Sequence, residues 1–440
     1  MHPFASYVLR SYYKQTGWNE DNLYANLTRS SNALLDFSVP RGLHFSISKS
    51  PNPLFKTTYS MNALPSLNGS VGYIFTSCDL DVKGSGDVRF KDMVDRFRVF
   101  DQPRRPEGKE EEWLAGERVN TRDYLLYGRI YVPTGRLDAL YSTRITPTLQ
   151  GMIAAISDPR VPLSSERSRS HSPSSNVMFS LQHDTGKVCT EYTWSAEDGM
   201  WGVRSLYNFG RLGTHTDTST EEGEKVGHAP NGKSKVKRVD EEEAMEGGLK
   251  GRVSVGGEFY FSAKEKSAGV STGIRFTTLP DATPPSFQVP SSSAAGPSSL
   301  RGPPSQPPTT ITALFNPMLG HISGAYAARV SRDLSLASRF DFNVYSYESE
   351  WSMGAEWWQR RGKVRHPSDS PDAPQPSLPD LVDEVQGVVK AKVSTTTDVS
   401  LLWEGRLRNV LVSLGVVSNL SSRSKPIKSI GLELSYFSSG

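Results

Sequence analysis

From Arg41 to its last residues the chain alternates apolar and polar side chains with a period of two, and nowhere does it approach the ~18 uninterrupted apolar residues of a membrane-crossing helix. Leu43, Phe45 and Ile47 alternate with His44 and Ser46, and comparable segments follow near 55–61, 69–76, 124–131, 137–145, 149–156, 176–183, 187–195 and 200–208. They continue near 249–261, 269–278, 311–316, 320–330, 334–346, 351–358, 386–394, 397–406, 409–418 and 427–436. In 334–346 one face carries Leu334, Leu336, Phe340, Phe342 and Val344, and the other Ser335, Arg339, Asp341 and Asn343. In 187–195, Val188, Thr190, Tyr192 and Trp194 oppose Cys189, Glu191 and Thr193.

A soluble sandwich shows the same alternation, because one face of each sheet is wet. Number and length separate the two: about nineteen segments of roughly nine or ten residues match tilted strands that cross a bilayer and close on themselves, since hydrocarbon tolerates no open edge. The expected fold is all-β, a transmembrane barrel. A hydrophobic fraction of 36% is too low for a helical membrane protein, while 17 Tyr, 18 Phe, 8 Trp and 37 Gly suit a sheet with interfacial rings and tight turns. The 50 basic and 47 acidic residues nearly cancel, which removes the electrostatic case for a nucleic-acid partner.

Phe4, Tyr7, Val8 and Tyr12 recur at helical spacing before Gly17, which predicts a short amphipathic helix over 3–16 that packs against or plugs something larger. Met1 to Gly17 lacks the apolar core and cleavage pattern of a secretory signal, as expected of an organelle barrel made in the cytosol rather than a bacterial one. Residues 1–37 therefore form a lead-in and 38–440 a single barrel domain. Long connections near 79–123, 158–175, 211–247, 279–310 and 359–385 are charged or rich in Pro and Ser, and their composition predicts mobile surface.

No catalytic constellation emerges. His2, His44, His171, His183, His215, His228, His321 and His366 never form HxH or HxxxH, and no Walker loop, HExxH or GxSxG elbow occurs. Gly84 and Gly86 belong to a turn. Cys78 and Cys189 offer no zinc set, which leaves a single bridge between them as an open alternative. The expectation is a protein that is not an enzyme and takes no cofactor or metal. Tyr73, Trp194, Trp201, Trp351, Trp357, Trp358 and Trp403 are expected at the headgroup level as interfacial girdles.

The last segment places Ile430, Leu432, Leu434 and Tyr436 on one face and Ser429, Gly431, Glu433 and Ser435 on the other. The order Ser429, Gly431, Leu434, Tyr436 resembles the carboxy-terminal sorting signal by which mitochondrial barrels are recognised for insertion. Further likeness lies in Leu34-Leu35-Asp36-Phe37, Pro40-Arg41-Gly42-Leu43, Asn68-Gly69-Ser70 with Tyr73, Leu125-Tyr127-Gly128-Arg129, Pro133-Thr134-Gly135-Arg136-Leu137, Pro317-Leu319-Gly320-His321 and Trp357-Trp358. With these residues the chain resembles the fungal mitochondrial distribution and morphology protein 10 family over nearly its whole length outside the long connections.

That resemblance implies a barrel of the mitochondrial outer membrane, related to the voltage-dependent anion channel and the general import pore, with nineteen strands and a helix associated with the interior. An odd number closes only if the first and last strands pair in parallel. It further implies an anchor of the endoplasmic reticulum–mitochondria encounter structure, whose partners carry lipid-transfer domains and exchange phospholipid. A second implied role is as accessory subunit of the sorting and assembly machinery, in late assembly of the general import pore, with effects on mitochondrial morphology and inheritance. Pro40, Arg41, Gly42 and Phe45 are the expected partner contact. The alternative is a metabolite or ion channel of the voltage-dependent anion channel type, its lumen lined by Arg339, Asp341 and Glu191.

Overall fold

The computed structural model describes residues 3–80, 82–100, 102–106, 113–114, 117–118, 122–159, 175–210, 251–278, 307–361, 384–396, 398–421 and 426–439. Helix α1 (Pro3–Thr16) is followed by two single 3-10 turns, α2 (Arg29–Leu35), β1 (Gly42–Ser50), β2 (Phe55–Leu64), β3 (Asn68–Thr76) and the short α3 (Phe90–Met93). A small ribbon, β4 (Trp113–Leu114) and β5 (Glu117–Arg118), stands apart from the main sheet. Then come β6 (Tyr124–Val132), β7 (Leu137–Thr146), β8 (Leu149–Ser157), β9 (Ser175–Asp184), β10 (Val188–Ser195), β11 (Met200–Asn208), β12 (Gly251–Ser262) and β13 (Ser267–Thr278). The chain ends with β14 (Thr309–Asn316), β15 (His321–Arg329), β16 (Leu334–Asn343), β17 (Ser349–Arg361), β18 (Glu384–Ser394), β19 (Asp398–Leu407), β20 (Val410–Asn419) and β21 (Ile427–Ser439).

The main sheet has 19 strands, and β1 bonds to both β2 and β21, so no edge remains open. Successive strands are antiparallel, whereas β1 and β21 run parallel in unbroken register from Gly42↔Gly431 to Ser50↔Ser439. We call the mouth where β1 starts the first and the mouth where it ends the second. The connections after β3, β11, β13 and β17 all leave from the second mouth.

Alternation sorts the wall into two chemistries. Outward positions such as Ile47, Tyr59, Phe179, Tyr192, Val203, Phe259, Phe340 and Leu401 are exposed and apolar, as a lipid-facing surface requires. Inward positions such as Ser46, Thr58, Gln182, Glu191, Ser254, Thr312 and Glu356 are buried and polar, because the lumen holds protein rather than lipid. Cys78 and Cys189 are both free and buried, so the bridge between them does not form.

Two expectations need correction. The stretch after β3 does not behave as mobile surface: Leu80, Val82, Val88, Phe90, Val94, Phe97 and Phe100 are buried, with Phe97 fully inaccessible. The segment turns into the barrel, where Val88, Phe90 and Val94 join the core of α1, and Arg406 of β19 donates to the carbonyls of Gly86 and Val88. Its charged residues hide an apolar spacing that does form a core, given a lumen to bury it. The second correction is Trp358. It faces inward at 5% exposure and donates from Nε1 to Glu356 Oε1 at 2.7 Å, with Phe90 edge-on at 6.3 Å. A register shift between Gln359 and Arg360 follows it, and the period of two cannot place two adjacent Trp residues on one face. The expectations for 107–112, 115–116, 119–121, 160–174, 211–247, 279–306 and 362–383, and for His2, His171, His215, His228 and His366, lie outside the described residues.

Candidate functional site: the closing seam and the lumen-bound amino terminus

The residues singled out in the last strand and those singled out before the first strand meet in one place. Gly42 pairs with Gly431 and Phe45 with Leu434, and Tyr436 stands beside Ile47. On the outer side Leu434 and Tyr436 also neighbour Val412 and Val410 of β20, which gives the seam an apolar lipid face. On the inner side Ser46 donates to Ser435 Oγ at 2.7 Å and Ser435 to Glu433 Oε1 at 3.4 Å, while His44 contacts Asn62. Ser429 lies opposite Val417, beyond the parallel pairing. Arg41 is exposed, and Pro40 is half-buried at the first mouth.

Gly42 and Gly431 are required by the path of the chain, not only by sheet formation. Gly42 has φ +74°, and a side chain there would overlap the Leu64 carbonyl. A Cβ on Gly431 would overlap the Pro40 carbonyl and lie 2.7 Å from the Arg41 nitrogen, because residues 39–41 cross the inner face of β20 and β21 on their way to β1. The same principle seats the whole lead-in. Tyr24 lies against Gly256, Leu27 against Gly273, Leu34 against Gly354 and Val39 against Gly415, so inward glycines on β12, β13, β17 and β20 mark the track of residues 24–41 around the lumen wall.

Helix α1 sits near the second mouth. Phe4, Val8 and Tyr12 are at most 1% exposed, packed with Ile74, Leu125 and Tyr127 of the wall, and the Phe4 ring lies 4.9 Å from that of Phe437 in β21. Burying side chains of this size stabilises by roughly 1.5–3 kcal/mol apiece. Helix α1 is therefore packed into the lumen as part of its apolar core. Burial lowers the pKa of the Arg10 guanidinium, and Asp95 at 3.3 Å opposes the shift.

Polar contacts pin the rest. Asn22 donates to Asp184 Oδ1 at 2.7 Å and accepts from Asn208 at 2.6 Å. Asp36 receives both terminal nitrogens of Arg339 at 2.6 and 2.9 Å, and Arg339 also reaches Asp341 at 3.0 Å. Glu191 accepts from Ser180, Gln182 and Arg204. Thus Arg339, Asp341 and Glu191 do line the lumen, but each is occupied by protein partners. Between the lead-in, the inserted segment and β18–β21 a cavity of ≈ 520 Å3 remains. Among the described residues no group of three or more His, Cys, Asp or Glu is placed to hold a metal.

Of the aromatic set, Tyr73, Trp201, Trp351 and Trp357 are exposed on the outer wall and Trp194 and Trp403 are half-buried. Trp357 and Trp358 give a sharp contrast. Trp358→Phe is expected to destabilise by about 1.5–3 kcal/mol through the lost bond to Glu356, whereas Trp357→Phe should be near neutral. Urea unfolding in detergent checks both, and brominated lipids should quench Trp357 and spare Trp358.

The family model described as "Mitochondrial distribution and morphology protein 10" matches residues 1–382 and 380–439, so it spans the lead-in, the wall and the closing strand alike. Proteins of that name from Postia placenta and Laccaria bicolor are 78% and 73% identical over 100% of both chains. The one from Phaeosphaeria nodorum is 37% identical over 99% of both.

Proposed function

The chain belongs to the mitochondrial distribution and morphology protein 10 family and is a β-barrel of the mitochondrial outer membrane, and on that premise we propose that it is a membrane anchor and assembly subunit. It holds the lipid-transfer subunits of the endoplasmic reticulum–mitochondria encounter structure to the outer membrane. In the sorting and assembly machinery it aids late assembly of the general import pore.

The observation that carries this reading is the filled lumen. Residues 3–40 and the segment around 80–100 occupy much of the interior, where Arg339 is held by Asp36 and Arg406 by the carbonyls of Gly86 and Val88. What such a barrel offers to other molecules is its outer wall and its two mouths. The seam residues Pro40, Arg41, Gly42 and Phe45 join both mouth and wall at one point, and we assign partner contact to them.

Crosslinking followed by pull-down from detergent-solubilised mitochondria, after carbonate extraction, tests the reading. Resistance to carbonate with recovery of both the contact-site subunits and the sorting machinery supports it. An embedded protein that brings down neither set overturns it, and conductance of the purified chain in planar bilayers then becomes the measurement for the channel reading.

A further inference from the structure

The outer wall carries one row of residues that lipid does not explain. His183 on β9 is opposite Thr190 on β10, Thr190 opposite Ser205 on β11, Ser205 opposite Gly257 on β12, and Gly257 opposite Thr272 on β13. All five face outward, since their strand neighbours Gln182, Glu191, Leu206, Gly256 and Gly273 face in. The row is flanked on one side by Tyr192, Val203 and Phe259 and on the other by Tyr207, Val255 and Ile274, each exposed. Small polar residues between large apolar ridges make a shallow groove. Four strand spacings of ≈ 4.8 Å give it a length of about 19 Å.

The groove has a polar entrance. It opens at the second mouth beside exposed Lys187, whose ammonium lies 5.6 Å from the Tyr207 ring. It ends at Thr272, midway along Ser267–Thr278 and so near the middle of the bilayer. Thr272 donates weakly to the Phe315 carbonyl at 3.4 Å, and the Thr190 and Ser205 hydroxyls have no partner among the described residues. Hydrocarbon supplies none either.

We propose that this row conducts phospholipid headgroups into the bilayer core, so that the barrel speeds transbilayer movement of phospholipid along its outer wall. A headgroup crosses a membrane slowly because its polar atoms lose hydrogen-bond partners in hydrocarbon. The hydroxyls of Thr190, Ser205 and Thr272 replace those partners through the first half of the crossing, and the Lys187 ammonium at the entrance complements phosphate. A protein helix fits less well: strands tilted by ≈ 45° set the perpendicular groove at about 45° to the membrane normal, beyond the usual tilt of spanning helices. The inference stands on the wall alone and does not need the anchor reading.

The test uses the full chain reconstituted in phosphatidylcholine vesicles with a trace of short-chain fluorescent phosphatidylcholine, extracted with albumin, a protein too large to pass the lumen. With the protein present, all of the label should be extracted within minutes; protein-free vesicles should release only the outer leaflet's share. The triple variant Thr190→Val, Ser205→Ala, Thr272→Val should slow extraction of the inner pool by at least about tenfold. Val270→Thr, which adds a hydroxyl toward the first mouth, should accelerate it, and this variant decides the matter if the triple variant does not fold. Extraction no faster than in protein-free vesicles overturns the proposal, as does a folded triple variant that matches the parent rate.

Discussion

Gly431→Val should prevent the barrel from closing, leaving almost no carbonate-resistant, protease-protected form after import into isolated mitochondria. The added side chain meets the Pro40 carbonyl, which is backbone and cannot rotate away. Pro40 itself is held on both sides: Val39 packs on Gly415, and the next glycine, Gly42, turns with positive φ beneath the Leu64 carbonyl. Overpacking of a relaxed core costs about 1–3 kcal/mol, and a clash against fixed backbone at the one parallel seam should exceed that. The register makes the damage nonlocal, because Gly431 is the first of the nine pairs that join β21 to β1. Normal assembly of the variant would mean that residues 39–41 do not cross β21.

Gly431 also belongs to the proposed sorting signal, so a failed import alone is ambiguous. A peptide of residues 427–440 carrying Gly431→Ala separates the two roles, since it has no Pro40 to meet. If it competes for the insertion machinery as well as the parent peptide does, the glycine serves the seam; if competition is lost, it serves recognition.

The wall was legible in the sequence because a lipid-facing strand must obey a strict period of two, and every segment proposed from that period coincides with a strand of the sheet. The lumen contents were not legible, for a physical reason. Helix α1 announced itself through Phe4, Val8 and Tyr12, but α2 has only seven residues, Arg29–Leu35, too few to establish a helical period. Phe97 and Phe100 sit among arginines and aspartates, where composition points to solvent, and only a hollow interior makes burial of those rings the favoured outcome. The glycine track was in view all along, since Gly256, Gly273, Gly354, Gly415 and Gly431 hold inward register positions where a polar residue is the norm. A glycine on the wet face of a strand signals close approach by another backbone, yet nothing in the pattern says which segment approaches. Trp358 failed differently: an aromatic next to Trp357 must by alternation face the other way, and an inward Trp needs a partner for its N–H, here Glu356.

Lys390→Met should destabilise the assembled barrel strongly, by about 3–5 kcal/mol in urea unfolding in detergent. Lys390 is 1% exposed, opposite Glu356 across β17 and β18, and its charge acts on both Glu356 and Glu404. Glu356 is wholly inaccessible, held by Trp358 Nε1 and by the backbone nitrogen of Phe97 at 3.3 Å, so it stays buried with less positive charge around it when Lys390 is replaced. The ammonium also donates to the carbonyls of Ala33 and Asp95, which ties α2 and the inserted segment to the wall at one point. Methionine keeps the length of the side chain while removing all of this. Two contributions are then separable. Adding Glu356→Gln to Lys390→Met removes the stranded carboxylate and should restore more than half of the loss if charge is the cause. Protease sensitivity around 29–40 should stay high in both variants, because the bond to Ala33 is absent from each. A double variant no more stable than the single one would assign the lysine to fixing α2 and the insert in place, with the electrostatic pairing to Glu356 secondary.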